Sequence, residues 1–193
     1  MTHDPRRPDF IGAMRHGYTG NRGPSKGPKR GPATAPPTEH MRLALYQPDI
    51  PQNAGAILRL GACLGVPVDI IEPCGFVLDD RRLKRAGMDY LDQVEMVRHG
   101  SWARFVEARS GDRLVLLTTA GETAHTGFRF DKGDVLLLGR ETAGVPGEVR
   151  ERADAAVRVP MASGARSLNV ALAAAIVLGE ALRQTGLMPE EDA

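Results

Sequence analysis

Three segments rich in glycine and proline carry the residues best suited to chemistry, and each follows an apolar run. In the first, residues 47–55, two prolines stiffen the turn, and Asn53 and Gly55 stand where a helix would begin. Arg59 lies about a turn and a half into that helix, so its side chain can reach back to the strand end. Ligands of open α/β sheets bind there, which makes Arg59 a candidate ligand contact. A solvated charge on a surface helix fits the same position.

The second segment, residues 138–146, runs from an apolar strand directly into two glycines, an acid and a proline. Gly139 and Gly144 allow a close backbone approach or a positive φ, and Pro146 suits the first position of a helix. A ligand that stacks against the main chain would need such a turn, with Glu141 beside it. An ordinary strand–helix connection has the same composition.

The third segment, residues 159–169, leads into a stretch crowded with small residues. Ser167 and Asn169 could bind a ligand, and either could equally cap the helix that follows. The small residues permit close packing, within the core or against a second chain; they are Ala171, Ala173, Ala174, Ala175 and Gly179.

Several kinds of site are excluded by the sequence. Neither the G-x-G-x-x-G fingerprint of dinucleotide-binding proteins nor a GK[ST] phosphate loop is present. No set of His, Cys, Asp and Glu has metal-ligand spacing, so we expect no metal. His99 and His125 are isolated and fit structural or surface roles. The two cysteines, Cys63 and Cys74, are expected to be reduced thiols.

The elements that must position these segments alternate along the chain. Short apolar runs bounded by turn residues predict buried strands. They are Leu43–Tyr46, Val66–Ile71, a weaker Val94–Arg98, Arg113–Thr118, Val135–Leu138 and Ala156–Val159. Between them we predict helices capped by Asn53 and by Ser101, a helix over Pro146–Ala153, and a last helix from about Ser167 to Gln184 that stops at Gly186. This alternation predicts an α/β fold whose mostly parallel sheet has helices on both faces.

The first 40 residues differ from the rest in composition. They hold seven of the 14 prolines, six glycines, seven basic and three acidic residues, which leaves 18 basic and 21 acidic residues for the remainder. Such a tail cannot bury enough surface to order itself, so we expect disorder over 1–40, one domain over 41–188 and a short acidic end at 189–193. The tail fits a weak nucleic-acid arm, a solvated extension, or translation that starts at Met41.

Taken in order, the three segments resemble the motifs of the SPOUT RNA methyltransferases, in the TrmH-like branch. The likeness covers Met41 to Gly186 and is greatest to the tRNA (cytidine/uridine-34-2′-O)-methyltransferase family, often called TrmL. It rests on P-x-I-P-x-N-x-G-x-I-x-R-L at 48–60, IIEP-x-GF at 70–76, DD-x-R-L-x-R-A-G-x-DY at 79–90, LTT at 117–119, G-x-E-T-x-G-x-P at 139–146 and V-P-M…R-S-L-N at 159–169.

The resemblance implies a C-terminal trefoil knot, a homodimer with the active site at the subunit interface, and S-adenosylmethionine as methyl donor. Pattern alone would not suggest a knot, because true knots are nearly absent from proteins. The donor would be bound in the knot, largely by main-chain groups. The corresponding positions are Leu117, Thr118, Gly139, Glu141, Val159, Met161, Ser167 and Leu168.

The implied reaction is methyl transfer to the ribose 2′-OH of nucleotide 34 in the tRNA anticodon stem-loop. By resemblance Arg59 contacts the RNA ribose and phosphate, and Asn53, Glu141, Ser167 and Asn169 organise the site. Because a guanidinium is always protonated, we expect Arg59 to stabilise negative charge rather than to accept a proton. The alternatives are a SPOUT enzyme for another RNA, such as rRNA, and a catalytically silent RNA-binding dimer.

The RNA should be bound by a basic patch, and this patch must be local because the domain as a whole is slightly acidic. The family's RNA-facing segment corresponds to residues 79–90, where Asp79 and Asp80 dilute the charge and a solvated helix face is the alternative. The candidate RNA contacts are Arg81, Arg82, Lys84, Arg85 and Tyr90. The sequence has no signal peptide and no apolar run of about 18 residues, so we expect a cytoplasmic protein without membrane contact.

Overall fold

A computed structural model describes residues 40–78 and 93–190 of the 193-residue chain. Three predicted features lie outside these residues. They are the tail over residues 1–39, the last three residues of the acidic end, and the candidate RNA contacts Arg81, Arg82, Lys84, Arg85 and Tyr90.

Within the described residues the strands form one seven-stranded sheet in which every neighbouring pair is parallel. The strands are β1 Arg42–Tyr46, β2 Val68–Ile71, β3 Met96–His99, β4 Arg113–Leu117, β5 Thr123–Ala124, β6 Asp134–Leu138 and β7 Ala155–Arg158. Their order across the sheet is β3-β2-β1-β6-β4-β7-β5. The predicted parallel sheet is confirmed; the sequence did not indicate the two-residue strand β5.

Three of the four α-helices in the described residues connect strands, and the last one follows β7: α1 Pro51–Leu64, α2 Trp102–Ala108, α3 Gly147–Arg152 and α4 Val170–Thr185. A short 3₁₀ turn, His125–Gly127, follows β5. None of these helices is long and apolar enough to span a lipid bilayer.

The core has two halves, one on each face of the sheet, because successive side chains of a strand point to opposite faces. In β1, Leu43 and Leu45 pack with α1 and α4, whereas Ala44 and Tyr46 pack with α2 and α3. The central strands are therefore buried on both faces, which explains their nearly unbroken apolar runs. Helices on both faces are confirmed.

Three predicted helix starts need correction. Helix α1 begins at Pro51, with Ile50 as the N-cap, instead of being capped by Asn53. A proline has no N–H to satisfy and a φ preset for the first turn, so it can open the helix without a polar cap. Helix α4 begins at Val170 rather than near Ser167, since the side chain of Asn169 accepts hydrogen bonds from the N–H groups of Ala171 and Leu172.

The third correction concerns Pro146, which is the N-cap of α3 and not its first helical residue. The predicted cap of α2 is confirmed, because the Ser101 hydroxyl accepts a hydrogen bond from the N–H of Arg104 at 3.3 Å. The predicted stop of α4 at Gly186 is also confirmed.

The topology brings four of the motif segments to one edge of the sheet. Strands β1, β6, β4 and β7 are neighbours, and their carboxyl ends lead into residues 47–55, 138–146, 117–119 and 159–169. The connection after β1 enters α1 on one face, and the connection after β6 enters α3 on the other. A crevice opens where adjacent connections diverge in this way, and ligands of α/β sheets bind in such crevices.

Candidate active site at the carboxyl edge of the sheet

A cleft of about 470 Å³ lies at this edge, between the segments that follow β1, β4, β6 and β7. Its walls include every residue that the motifs suggest for the methyl donor, together with four of the five residues suggested for catalysis. The donor positions are Leu117, Thr118, Gly139, Glu141, Val159, Met161, Ser167 and Leu168, and the further catalytic positions are Asn53 and Asn169.

The wall formed by residues 138–146 is a tight main-chain turn. The N–H and C=O groups of Arg140 and Gly144 bond each other at 2.9 Å in both directions. A Cβ on Gly139 would lie 2.7 Å from the carbonyl carbon of Gly144, and Gly144 itself has a φ of 65°. The predicted need for glycine at both positions is confirmed, and main-chain atoms consequently line the cleft.

A chain of side-chain hydrogen bonds connects the three motif segments. The Asn53 amide donates to Glu141 Oε1 at 3.1 Å, and the Asn169 amide donates to Asn53 Oδ1 at 2.9 Å. Asn169 Oδ1 then accepts from the N–H of Ala171 at 2.8 Å, at the start of α4. The residue predicted to cap α1 therefore bridges the other two segments instead.

Asp49 and Arg140 also belong to this site, although no motif function was assigned to them from the sequence. Arg140 donates to Asp49 Oδ1 from Nε at 3.1 Å and from Nη2 at 2.6 Å. Together with the Thr142 hydroxyl, these bonds lower the pKa of Asp49 to about 2, and the same ion pair raises the pKa of Arg140. The signal available in the sequence was one acid and one base in adjacent loops, which does not reveal contact.

Arg59 is the one predicted catalytic residue that the structure does not bring to the lining of the cleft. Its side chain is exposed on α1. A different arginine, Arg150 of α3, lines the cleft and makes no hydrogen bond or ion pair through its side chain within the described residues. Its charge is available to an anionic group, and the sequence offered no sign of it beyond a base in a short helix.

No metal centre is found in the part of the chain that the structure describes, since no three His, Cys, Asp or Glu side chains come together there. The residues that line the cleft offer apolar walls, main-chain groups, amides, hydroxyls, one carboxylate and the guanidinium groups of Arg140 and Arg150. Such a cleft can hold a flat ring and orient a small polar or charged group beside it.

The model of the SpoU rRNA Methylase family matches residues 40–179, which include the whole cleft. The chain belongs to this family. The resemblance predicted from the motifs is confirmed, and the parallel sheet is the fold of SpoU methylases.

Other SpoU relatives are similar over nearly their full length. A protein of Ancylobacter novellus named tRNA (cytidine(34)-2′-O)-methyltransferase is 57% identical over 148 residues, which are 76% of this chain and 94% of that protein. A solved structure described as giving insights into the 2-OH methylation of C/U34 on tRNA is 44% identical, with a TM-score of 0.70, and the match covers 76% of this chain and 97% of that one.

A more distant SpoU structure contains the methyl donor. The methyltransferase AviRb of Streptomyces viridochromogenes, solved in complex with AdoMet, is 31% identical with a TM-score of 0.68. The match covers 79% of this chain and 62% of AviRb.

Proposed function

We propose that this chain transfers the methyl group of S-adenosylmethionine to the ribose 2′-OH of nucleotide 34, a cytidine or uridine, in tRNA. The observation that carries the proposal is the convergence of the three motif segments on one cleft in a SpoU methylase. The names of the relatives from Ancylobacter novellus and of the C/U34 structure support the choice of tRNA and of the wobble nucleotide.

The cleft suits the donor in size and in chemistry. Leu117, Val159 and Met161 offer an apolar slot for adenine, and the turn at Gly139 offers main-chain partners. Glu141 makes no ion pair within the described residues, so its negative charge favours a cation nearby. When bound, the donor supplies a methyl group on a positively charged sulfur.

The chain's own contribution is to align the ribose oxygen with that methyl group and to stabilise the charge that develops as the hydroxyl loses its proton. Asn53 and Asn169 are fixed by the hydrogen-bond chain and can orient the hydroxyl. Ser167, at the rim, can donate to it. Arg59 can bind the adjacent phosphate, which a planar guanidinium does well.

A homodimer explains how an exposed Arg59 could reach a cleft that it does not line. Helix α1 packs against α4, and α4 exposes Leu172 and Ile176 to 58% and 42%, one turn apart. Leu168, exposed to 38%, precedes them at the same spacing. Exposed apolar residues in a row are typical of interfaces, and a second copy seated there would bring its Arg59 near the cleft rim.

The trefoil knot, the cytoplasmic location and the RNA-binding role of residues 81–90 complete the proposal. Membership of the SpoU family and the parallel sheet order support the knot. A tRNA substrate supports a cytoplasmic location for the protein. The basic side chains at 81, 82, 84 and 85 would bind phosphates of the anticodon stem-loop.

The test is incubation of the full chain with labelled donor and total tRNA from a strain that lacks the gene, followed by nucleoside analysis. We expect one 2′-O-methylated nucleotide at position 34. Glu141→Ala should abolish the label, and Glu180→Ala, at a residue of α4 that does not line the cleft, should keep it. Label in rRNA alone would favour the second candidate, an rRNA methylase, which the name of the family supports. A folded parent that does not bind the donor would instead indicate a silent RNA-binding dimer.

A further inference from the structure

Asp49 contacts three consecutive residues of the segment that follows β6. Its carboxylate binds the guanidinium of Arg140 through Oδ1 and the Thr142 hydroxyl through Oδ2. Its backbone N–H donates to Glu141 Oε2 at 2.8 Å. One residue of the β1 segment therefore fixes the cleft carboxylate and both of its neighbours in the chain.

The position of Asp49 is itself tightly constrained. Its side chain is only 12% exposed, against 39% for Arg140. Gly75 packs beneath it, so closely that a Cβ there would lie 3.0 Å from the Asp49 Cα. The N–H of Gly75 also donates to the carbonyl of Pro48 at 2.9 Å. Arg140 thus binds a carboxylate whose backbone is held in place by its contacts with Gly75.

The arrangement pairs the Arg140 guanidinium with Asp49, so that within the described residues Arg140 forms no ion pair with the adjacent Glu141. Glu141 receives hydrogen bonds only from neutral donors, the N–H of Asp49 and the amide of Asn53, and within the described residues it forms no ion pair. Arg140 also lines the cleft, and its guanidinium is turned to Asp49. Without the Asp49 carboxylate, that guanidinium would be released beside the carboxylate of the cleft.

We propose that Asp49 is a positioning residue that holds the Arg140 cation away from Glu141, so that the Glu141 carboxylate can face a cationic ligand. This inference rests on the proposed function, because the cationic ligand is the sulfonium of the methyl donor. A free guanidinium a few ångströms from Glu141 would neutralise it and repel the sulfonium.

The test compares two ligands that differ mainly in one charge: S-adenosylmethionine and the neutral thioether S-adenosylhomocysteine. Asp49→Asn keeps the backbone N–H and an acceptor for Thr142, but removes the charge that holds Arg140. We expect calorimetry to show that affinity for S-adenosylmethionine falls about tenfold while affinity for S-adenosylhomocysteine changes less than about threefold.

A second variant separates charge from folding. In Asp49→Asn combined with Arg140→Gln, no cation is released, so affinity for S-adenosylmethionine should return to within about threefold of the parent. Glu180→Gln is the matched control, because Glu180 is also an arginine-paired carboxylate whose pKa is lowered to about 2, and it does not line the cleft. It should change neither affinity.

Two results would overturn the inference alone: equal weakening of both ligands by Asp49→Asn, or no recovery in the double variant while the parent binds S-adenosylmethionine. Glu141→Gln must show the same preference for loss of the charged ligand; if it does not, Glu141 does not face the sulfonium and the inference is wrong. A parent that binds neither ligand would remove the proposed function as well.

Discussion

Two aspartates, Asp49 and Asp69, each bind arginine, yet they occupy contrasting parts of the molecule. Asp69, in β2, is fully buried and accepts hydrogen bonds from Arg42 at 2.8 Å, Arg109 at 2.9 Å and His99 at 2.7 Å. Asp49 lies behind two residues that line the cleft, Arg140 and Glu141, and binds one arginine, which is 39% exposed.

The contrast separates an ion pair that supports the fold from one that arranges a site. Burial alone would raise the pKa of Asp69, but the hydrogen bonds from Arg109, Arg42 and His99 outweigh burial and lower it. Loss of one buried partner leaves other charges uncompensated, which is costly. If the Asp49 carboxylate is lost, solvent can hydrate the released Arg140 guanidinium. The loss should therefore affect ligand binding and not the stability of the fold.

The largest expected effect is on stability, from Asp69→Ala. The variant leaves the partly buried guanidinium of Arg109 without its carboxylate and the buried one of Arg42 with only the exposed Glu95, so the free energy of unfolding should fall by about 3–5 kcal/mol. Urea denaturation followed by circular dichroism measures this. Asp49→Ala is the comparison and should lower the free energy of unfolding much less. Equal losses in the two variants would contradict the contrast.

A large effect on turnover is expected from Arg59→Lys. Lysine keeps the charge but not the planar fork that binds phosphate, so single-turnover methylation should slow by about a hundredfold. Affinity for the donor should survive, because Arg59 does not line the cleft. If calorimetry shows donor affinity falling in parallel, Arg59 belongs to the donor site.

A moderate effect on RNA binding is expected from Arg82→Ala and Arg85→Ala. Each variant should weaken tRNA binding and lower the slope of log affinity against log salt by about one. Filter binding at several salt concentrations measures the slope. Identical slopes in the variants and the parent would remove these residues from the RNA interface and leave them as solvated charges.

The smallest effect is expected at acid pH. A carboxylate with a lowered pKa stabilises the folded state fully above its ordinary value, near 4, and this stability is lost as the pH falls toward the folded value. Below about pH 4 the free energy of unfolding should therefore drop less steeply in Asp69→Asn than in the parent, because the variant has no carboxylate to protonate there. Acid titrations of the parent and the variant at a fixed urea concentration would show this difference in slope. Parallel unfolding curves would contradict the lowered pKa of Asp69.

The sequence by itself determined the fold class, the family and six of the seven described strands. Every predicted strand is present, with its ends within about two residues of the predicted ones. A parallel strand that is buried on both faces must be apolar along its length, so a run such as Val135–Leu138 is visible in the sequence. The motif segments could also be predicted, because each is a turn that depends on glycine or proline residues close together in the sequence.

The tertiary structure decided which of those residues meet. Asn53 could be read as a helix cap because a cap is a local arrangement, but its partners Glu141 and Asn169 are 88 and 116 positions away in the sequence. The pairing of Asp49 with Arg140, 91 positions apart, depends on β1 and β6 being neighbours in the sheet. Short-range sequence patterns do not indicate such contacts. Whether two residues so far apart in the chain meet depends on how the whole domain packs.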